Sequence, residues 1–258
     1  MSRHYIFREM SRIQGYMDPC DALSFQTVLE YQNGAGLRGG GAEIGVYYGR
    51  SYFLIRKLIG QGDKVFAADL FNIGERADGS DQLDALRASG QALGLPVSDD
   101  LIHRGDSADL TADTITKAVG PVRFFSVDGG HKLDHLRIDA AIARDALADH
   151  GVIVFDDVYN HTWPEVAVGV FEFLGQNKDF APFAITPKKL YVCRRDHHAA
   201  YHGAMAGSAH LSSLGRIDRD LLGDAVVVVE HPIRKRILYE LAMSAHLPAM
   251  AERLYPER

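Results

Sequence analysis

The acids and the histidine best suited to chemistry fall in a few short stretches of this chain. Val127-Asp128-Gly129-Gly130-His131 and Phe155-Asp156-Asp157-Val158-Tyr159-Asn160 each close an apolar run, and 28 residues separate Asp128 from Asp156, room for one helix. If the two runs are neighbouring strands, Asp128, Asp156 and Asp157 end within a few ångströms of one another. Carboxylates so placed repel and raise each other's pKa. A hard divalent cation such as Mg²⁺, which takes few carboxylates and fills its shell with substrate oxygens and water, relieves them. The alternative is that Asp156 and Asp157 point to opposite faces, one of them capping the next helix. His131, three residues past Asp128, stands where a general base is needed. His131 and His135 also have the i, i+4 spacing of a zinc pair, but Lys132 stands where the metalloprotease motif requires Glu.

Ala42-Glu43-Ile44-Gly45-Val46-Tyr47-Tyr48-Gly49-Arg50-Ser51 is a second constellation. A strand that ends at Gly45 and a helix that starts at Gly49 let a ligand approach backbone amides at a helix N-terminus. Tyr47 fills the middle of the spacing, so the dinucleotide fingerprint is incomplete. Asp69, twenty residues beyond Gly49, sits at the usual offset of a ribose-binding acid. Together they favour a nucleoside over a pyrophosphate; a plain tight turn with a solvated Asp is the bland reading. Gly105-Asp106-Ser107 is by itself a turn or cap and gains meaning only from its place on the same edge. Tyr47, Tyr48, Tyr159 and Trp163 gather near that edge, where rings can stack on a substrate or pack in the core. His197, His198 and His202 lie in a polar tail stretch that reads as solvated surface.

The elements that must position these residues alternate. Short apolar runs at 42–46, 64–70, 101–105, 122–128 and 151–157 each precede a stretch long enough for a helix, at about 49–60, 80–93, 111–119, 132–149 and 164–175. Leu133, Leu136, Ala140, Ala143 and Leu147 form one buried stripe of the fourth helix. An earlier helix, capped by Asp21 and stopped by Asn33-Gly34, shows Phe25, Val28 and Leu29 as its apolar stripe. Strand–helix alternation with nearly all-apolar strands predicts a parallel sheet covered on both faces, with ligands at the carboxyl ends of the strands. Beyond residue 182 the segments FAIT and KLYVCR predict a β-hairpin across Pro187-Lys188. The strand AVVVVE (225–230) either extends the sheet or pairs across a two-fold, and a last helix spans about 234–253.

The chain has 258 residues, 47% hydrophobic and 24% charged, as in an ordinary globular protein able to bury a core without staples. Its 28 Lys and Arg against 34 Asp and Glu give a net charge of −6, which argues against a nucleic-acid binder. Cys20 and Cys193, the two cysteines, have no metal-ligand spacing and make no disulfide framework, as expected of a reducing compartment. No apolar run reaches the ~18 residues of a membrane span, and the N-terminus lacks a signal-peptide core. The expected location is cytoplasmic.

Over roughly residues 22–193, in motif and chain order, the sequence resembles the class I S-adenosylmethionine-dependent methyltransferases. It is most similar to the small metal-dependent O-methyltransferases, including macrocin-type sugar methyltransferases and cephalosporin hydroxylase-like proteins. The resemblance implies an α/β, Rossmann-like, doubly wound and mostly parallel seven-stranded sheet with an antiparallel last strand. It implies that Glu43, Gly45, Gly49 and Ser51 surround the methionine part of S-adenosyl-L-methionine, that Asp69 holds the ribose, and that Asp106 and Ser107 lie against adenine, with Asp128 beside the cofactor. It also implies Asp128, Asp156 and Asp157 as ligands of Mg²⁺ or another divalent cation, with His131 and Asp128 catalytic. Catechol-type relatives end the second acid cluster in Asp-Asn, whereas the Asp-Asp found here is that of sugar-modifying relatives.

The domain organisation expected is an N-terminal segment or lid over 1–20, the cofactor-binding domain over 21–195, and a C-terminal extension over 196–258 belonging to the same domain or to an oligomer contact. The expected activity is Mg²⁺-dependent transfer of a methyl group to a hydroxyl of a small acceptor such as a sugar, in a homo-oligomer without nucleic-acid or membrane partners. Two other classes stay open: a nicotinamide-dependent oxidoreductase, and a non-catalytic nucleoside-binding protein of the same fold.

Overall fold

The computed structural model describes residues 2–60, 62–72 and 81–257. Nine strands form one sheet: β1 (Gly40–Ile44), β2 (Val65–Asp69), β3 (Ile102–Arg104), β4 (Val122–Val127), β5 (Leu147–Phe155), β6 (Phe180–Ile185), β7 (Leu190–Arg194), β8 (Gly215–Leu221) and β9 (Asp224–Glu230). Their order is β3-β2-β1-β4-β5-β7-β6-β9-β8. β1 to β5 pair in parallel, and β7 enters antiparallel between β5 and β6 as the FAIT/KLYVCR hairpin predicts. The seven expected strands are followed by two more. β9 adds in parallel to β6, so AVVVVE extends the sheet, and β8 folds back on it antiparallel.

The helices are α1 (Ser2–His4), α2 (Pro19–Gly34), α3 (Arg50–Leu58), α4 (Gln82–Ala92), α5 (Ala112–Val119), α6 (Leu133–Ala146), α7 (Pro164–Gln176), α8 (Arg195–Ala206), α9 (Ile233–Ser244) and α10 (Pro248–Arg253). The expected start at Ser80 of the helix over about 80–93 lies outside the described residues. The stretch expected as one helix over 132–149 ends at Ala146 because Leu147 is already extended and paired with Val122. The single terminal helix expected over 234–253 is two. The break comes at His246, whose φ is +58°, and at Pro248, which opens α10.

Alternate residues of each central strand feed opposite faces of the sheet. Phe124, Val152, Val154, Tyr191 and Cys193 join one core, whereas Phe125, Ile153, Phe155, Leu190 and Val192 join the other. Burial on both faces is why these strands read as continuous apolar runs.

α2 departs most from its sequence reading. Asp18 is its N-cap, accepting the N–H of Asp21, and Pro19 opens the first turn, so Asp21 is released from the capping role expected of it. The helix is buried on nearly all sides instead of along one stripe, and its polar residues are satisfied internally. Gln32 donates to the Arg123 carbonyl and to the Tyr201 hydroxyl, and Thr27 shares a hydrogen bond with Ser208. The N-terminal segment is equally embedded: Tyr5, Ile6 and Phe7 are fully buried. His197, His198 and His202, expected on a solvated tail, lie on α8. There His198 bonds the carbonyls of Pro182 and Ala225 and ties the helix to β6 and β9.

Arg123 on β4 is wholly buried and serves three acceptors, the Leu37 carbonyl (2.9 Å), Asn33 Oδ1 (2.8 Å) and the Ile59 carbonyl, with Asp63 3.6 Å away. It locks the end of α2 and the end of α3 onto the central strand. Removing it leaves those acceptors and Asp63 without their donor. Arg123→Met is therefore expected to cost about 3 kcal/mol of stability in urea unfolding, and a loss below ~1 kcal/mol would show that water replaces the guanidinium.

Candidate active site

The strand order reverses between β1 and β4, which opens a crevice at their carboxyl ends. Register makes the strand ends flush. Ile44 pairs with Val127, and Val127 with Phe155, so Gly45, Asp128 and Asp156 follow at one level. The ladder continues into the loops, with Asp128 N–H donating to the Ile44 carbonyl (2.9 Å) and Asp156 N–H to the Val127 carbonyl (3.0 Å). Above them lies a cavity of about 650 Å³, within the range of small-molecule sites.

Of the residues expected to bind a cofactor, Gly45, Ser51, Asp69, Asp106, Ser107 and Asp128 line this cavity. Gly45 has φ +86°, and a Cβ there would stand 1.7 Å from the Asp128 carbonyl oxygen, so no side chain fits. Asp69 accepts the N–H of Tyr47 (2.7 Å) on one oxygen and that of Phe71 (2.8 Å) on the other, which fixes the turn after β1. Burial raises its pKa against the pull of those bonds. Asp106 lines the cavity and also caps a short 3-10 turn, accepting the N–H of Ala108 (2.9 Å). Gly49 stands back from the cavity as the N-cap of α3, packed near Leu86 and Phe53. Glu43 also lies outside the lining. It is wholly buried, and neither carboxyl oxygen has a hydrogen-bond partner among the described residues, although the Ser51 and Ser126 hydroxyls lie near enough to act on it.

His131 faces the cavity with its ring stacked on Trp163, centroids 4.4 Å apart and planes 11° from parallel. Its Nε2 lies 3.3 Å from Asp157 Oδ2, and Asn160 Nδ2 donates to Asp157 Oδ1 (3.0 Å). Against burial, these bonds hold the Asp157 carboxyl below the usual range. Tyr47 stacks on Tyr16 and accepts from Gln14, which brings residues 14–17 to the cavity wall. Tyr48 is buried in the core.

The three aspartates expected to share a divalent cation lie close together, Asp128 and Asp156 in side-chain hydrogen-bond contact, but they do not leave a free set of donor oxygens. Asp156 spends Oδ1 on the Asp157 N–H (2.8 Å) and Oδ2 on the Lys189 ammonium (2.5 Å), while Asp157 turns to His131 and Asn160. Among the described residues no three His, Cys, Asp or Glu side chains form a group able to hold a metal ion. The donor set therefore does not fit Mg²⁺, because a lysine already supplies the positive charge that the bare carboxylates were expected to need.

Sequence reasoning missed Lys189, Asp21 and Arg50. Phe155 pairs with Leu190 across the antiparallel β5–β7 ladder, so Asp156 falls opposite Lys189. The lysine immediately before β7 was the available signal. Arg50 donates to the carbonyls of Ile13 (2.8 and 2.6 Å) and Met17, and Tyr5 donates to its carbonyl (2.7 Å), which clamps the N-terminal segment beside the cavity.

Burial pushes the Glu43 carboxyl up to about 8. A carboxyl raised in the folded state stabilises fully below its unfolded value near 4.5, and that stability is lost as pH rises toward about 8. Glu43→Gln cannot ionise and is expected to flatten the fall of Tm between about pH 5 and about pH 8; a slope identical to that of the parent would assign the fall to other groups.

Residues 42–158 match the family described as a methyltransferase domain. The fold is shared with solved structures of low sequence identity. The O-methyltransferase NovP is 16% identical over 68% of this chain and 79% of its own, with a TM-score of 0.55. CalS11, a TDP-rhamnose 3'-O-methyltransferase of calicheamicin biosynthesis, is 16% identical over 68% and 78%, at 0.52. A protein from Corynebacterium glutamicum is 11% identical over 75% and 89%, at 0.51. No curated protein sequence matches the chain. No helix among the described residues is long and apolar enough to cross a membrane. A nine-stranded sheet, a cavity at its switch point and a match across the strands that build that cavity agree: over residues 42–158 the chain is similar to the methyltransferase domain family, and its fold is that of the O-methyltransferases NovP and CalS11.

Proposed function

We propose that the cavity binds S-adenosyl-L-methionine and that the enzyme moves its methyl group to a hydroxyl of a small acceptor, a sugar or glycoside. The observation that carries this reading is the flush strand-end set: Gly45 pressed against the Asp128 carbonyl, Asp69 at the end of β2, and Asp106 and Ser107 beyond β3, all around one cavity that also contains His131. Bound there, the sulfonium supplies an electrophilic methyl and leaves as a neutral thioether. Asp69 would hold the ribose hydroxyls, and Asp106 with Ser107 the adenine. Gly45 and Ser51 would border the methionine part, above the buried and unpartnered Glu43.

The chain's own task is to orient the acceptor oxygen and take its proton. With Nε2–H donated to Asp157, His131 keeps its Nδ1 lone pair for that proton, and the imidazolium formed is stabilised by the same carboxylate. Trp163 fixes the ring plane. An aliphatic hydroxyl is a poor nucleophile when neutral, so this base matters more for a sugar than for a phenol. The sugar class is supported by the fold shared with CalS11, and by a cavity wall that sets Trp163 among Asn160, Asp157 and Lys188. On this reading residues 21–195 are the cofactor-binding unit, 1–20 its cover beside the acceptor, and 196–258 an extension of the sheet.

Calorimetric titration with S-adenosylhomocysteine tests the cofactor. Micromolar binding is expected, weakened about tenfold or more by Asp69→Ala; no heat in the parent protein would overturn the reading and favour a nicotinamide cofactor, to be tried next by NADH fluorescence. With an acceptor found by screening sugars and glycosides for methyl incorporation, His131→Ala is expected to lower kcat about a hundredfold or more. Its affinity for S-adenosylhomocysteine should stay unchanged. Unimpaired turnover would remove His131 from the mechanism.

A further inference from the structure

Beside the cavity, Asp21, Glu43, Asp128 and Asp156 all act on one lysine, Lys189, which is 3% exposed. Its place follows from the fold, since the β5–β7 register sets it opposite Asp156. Its backbone is held at the hairpin, with Lys189 N–H donating to Thr186 Oγ1 (3.1 Å) and the Thr186 hydroxyl donating in turn to Asp21 Oδ1 (2.6 Å). The ammonium lies 2.5 Å from Asp156 Oδ2 and 5.8 Å from the centre of the Phe25 ring.

We propose that Lys189 is the resident cation of this active site, supplying from the chain the positive charge that balances Asp128 and Asp156, so that the methyltransferase operates without a divalent metal. The proposal rests on the methyl-transfer reading of the same cavity. Three features carry it. Both oxygens of Asp156 and both of Asp157 are already engaged, by Asp157 N–H, Lys189, His131 and Asn160. A second cation would stand next to a buried ammonium with little water to screen the two. Lys189 also borders the cavity, so its charge reaches the space an acceptor oxygen would occupy.

The probe is Mn²⁺, followed by the loss of the free-ion electron paramagnetic resonance signal, with and without S-adenosylhomocysteine. The parent protein is expected to leave Mn²⁺ free up to about 1 mM. Lys189→Met, which strands the carboxylates, should bind it at least about tenfold more tightly, whereas Lys189→Arg, which keeps the charge, should not. Mn²⁺ binding by the parent that Asp156→Asn abolishes would overturn the proposal, as would a Lys189→Met variant that binds no better than the parent. Should Lys189→Met fail to fold, the parent and Lys189→Arg titrations decide by the same criterion. Titration of S-adenosylhomocysteine into the same samples reads the cofactor separately, so failure of the methyl-transfer reading shows as absent cofactor heat, whatever Mn²⁺ does.

Discussion

Four strands meeting in register at one level are the constraint on which the rest of this structure depends. β1, β4 and β5 run in parallel and terminate together, and β7 runs back against β5 so that its first residues face the last residues of the others. Hydrogen bonds of the ladder therefore dictate which side chains share the cavity. A shift of one residue in β7 would move Lys189 away from Asp156 and expose its alternating apolar residues to the wrong core. Placing buried carboxyls side by side is tolerable only because the antiparallel strand delivers an ammonium among them, and the breaking of such a pair is costly.

A second layer of order comes from polar groups buried under the sheet. α2 lies among core side chains on nearly every face, and it does so with Asp21, Ser24, Gln26, Thr27 and Gln32 inside. Several of those groups reach segments distant in sequence: Asp21 meets Thr186, Thr27 meets Ser208, and Gln32 meets Arg123 and Tyr201. Directional bonds of this kind specify one arrangement where apolar packing alone would accept several. The same logic extends to the N-terminal segment, which Arg50 grips by its carbonyls at Ile13 and Met17.

The sheet and its crevice were legible in the sequence because parallel strands buried on both faces leave apolar runs bounded by Gly and Asp. Those boundaries are the strand ends where Gly45, Asp69, Asp128 and Asp156 stand. The charge balance of the site was not legible by counting acids along the chain, because the partner of Asp156 is Lys189, which stands just before β7 and is placed by antiparallel register. The capping of α2 was misplaced by three residues for a local reason: Asp18-Pro19 is a stronger start than Asp21, since Pro at the first helical position costs no hydrogen bond. Aromatic residues near the edge gave no clue to their separate fates, in which Trp163 stacks on His131 while Tyr48 sinks into the core. Side-chain partners of that sort are set by tertiary contact, which composition does not encode.

The two strands beyond the expected seven also decide how the sheet ends. β6 would otherwise be an open apolar edge, and β9 covers it. β8 then becomes the last strand, with Arg216, Asp218, Arg219 and Asp220 along it, the last three of them exposed. At the opposite end β3 is only three residues long. One margin is too charged and the other too short to accept a foreign strand, the two means by which natural sheets escape edge-to-edge association. The C-terminal hairpin thus protects the chain from aggregation through its own sheet.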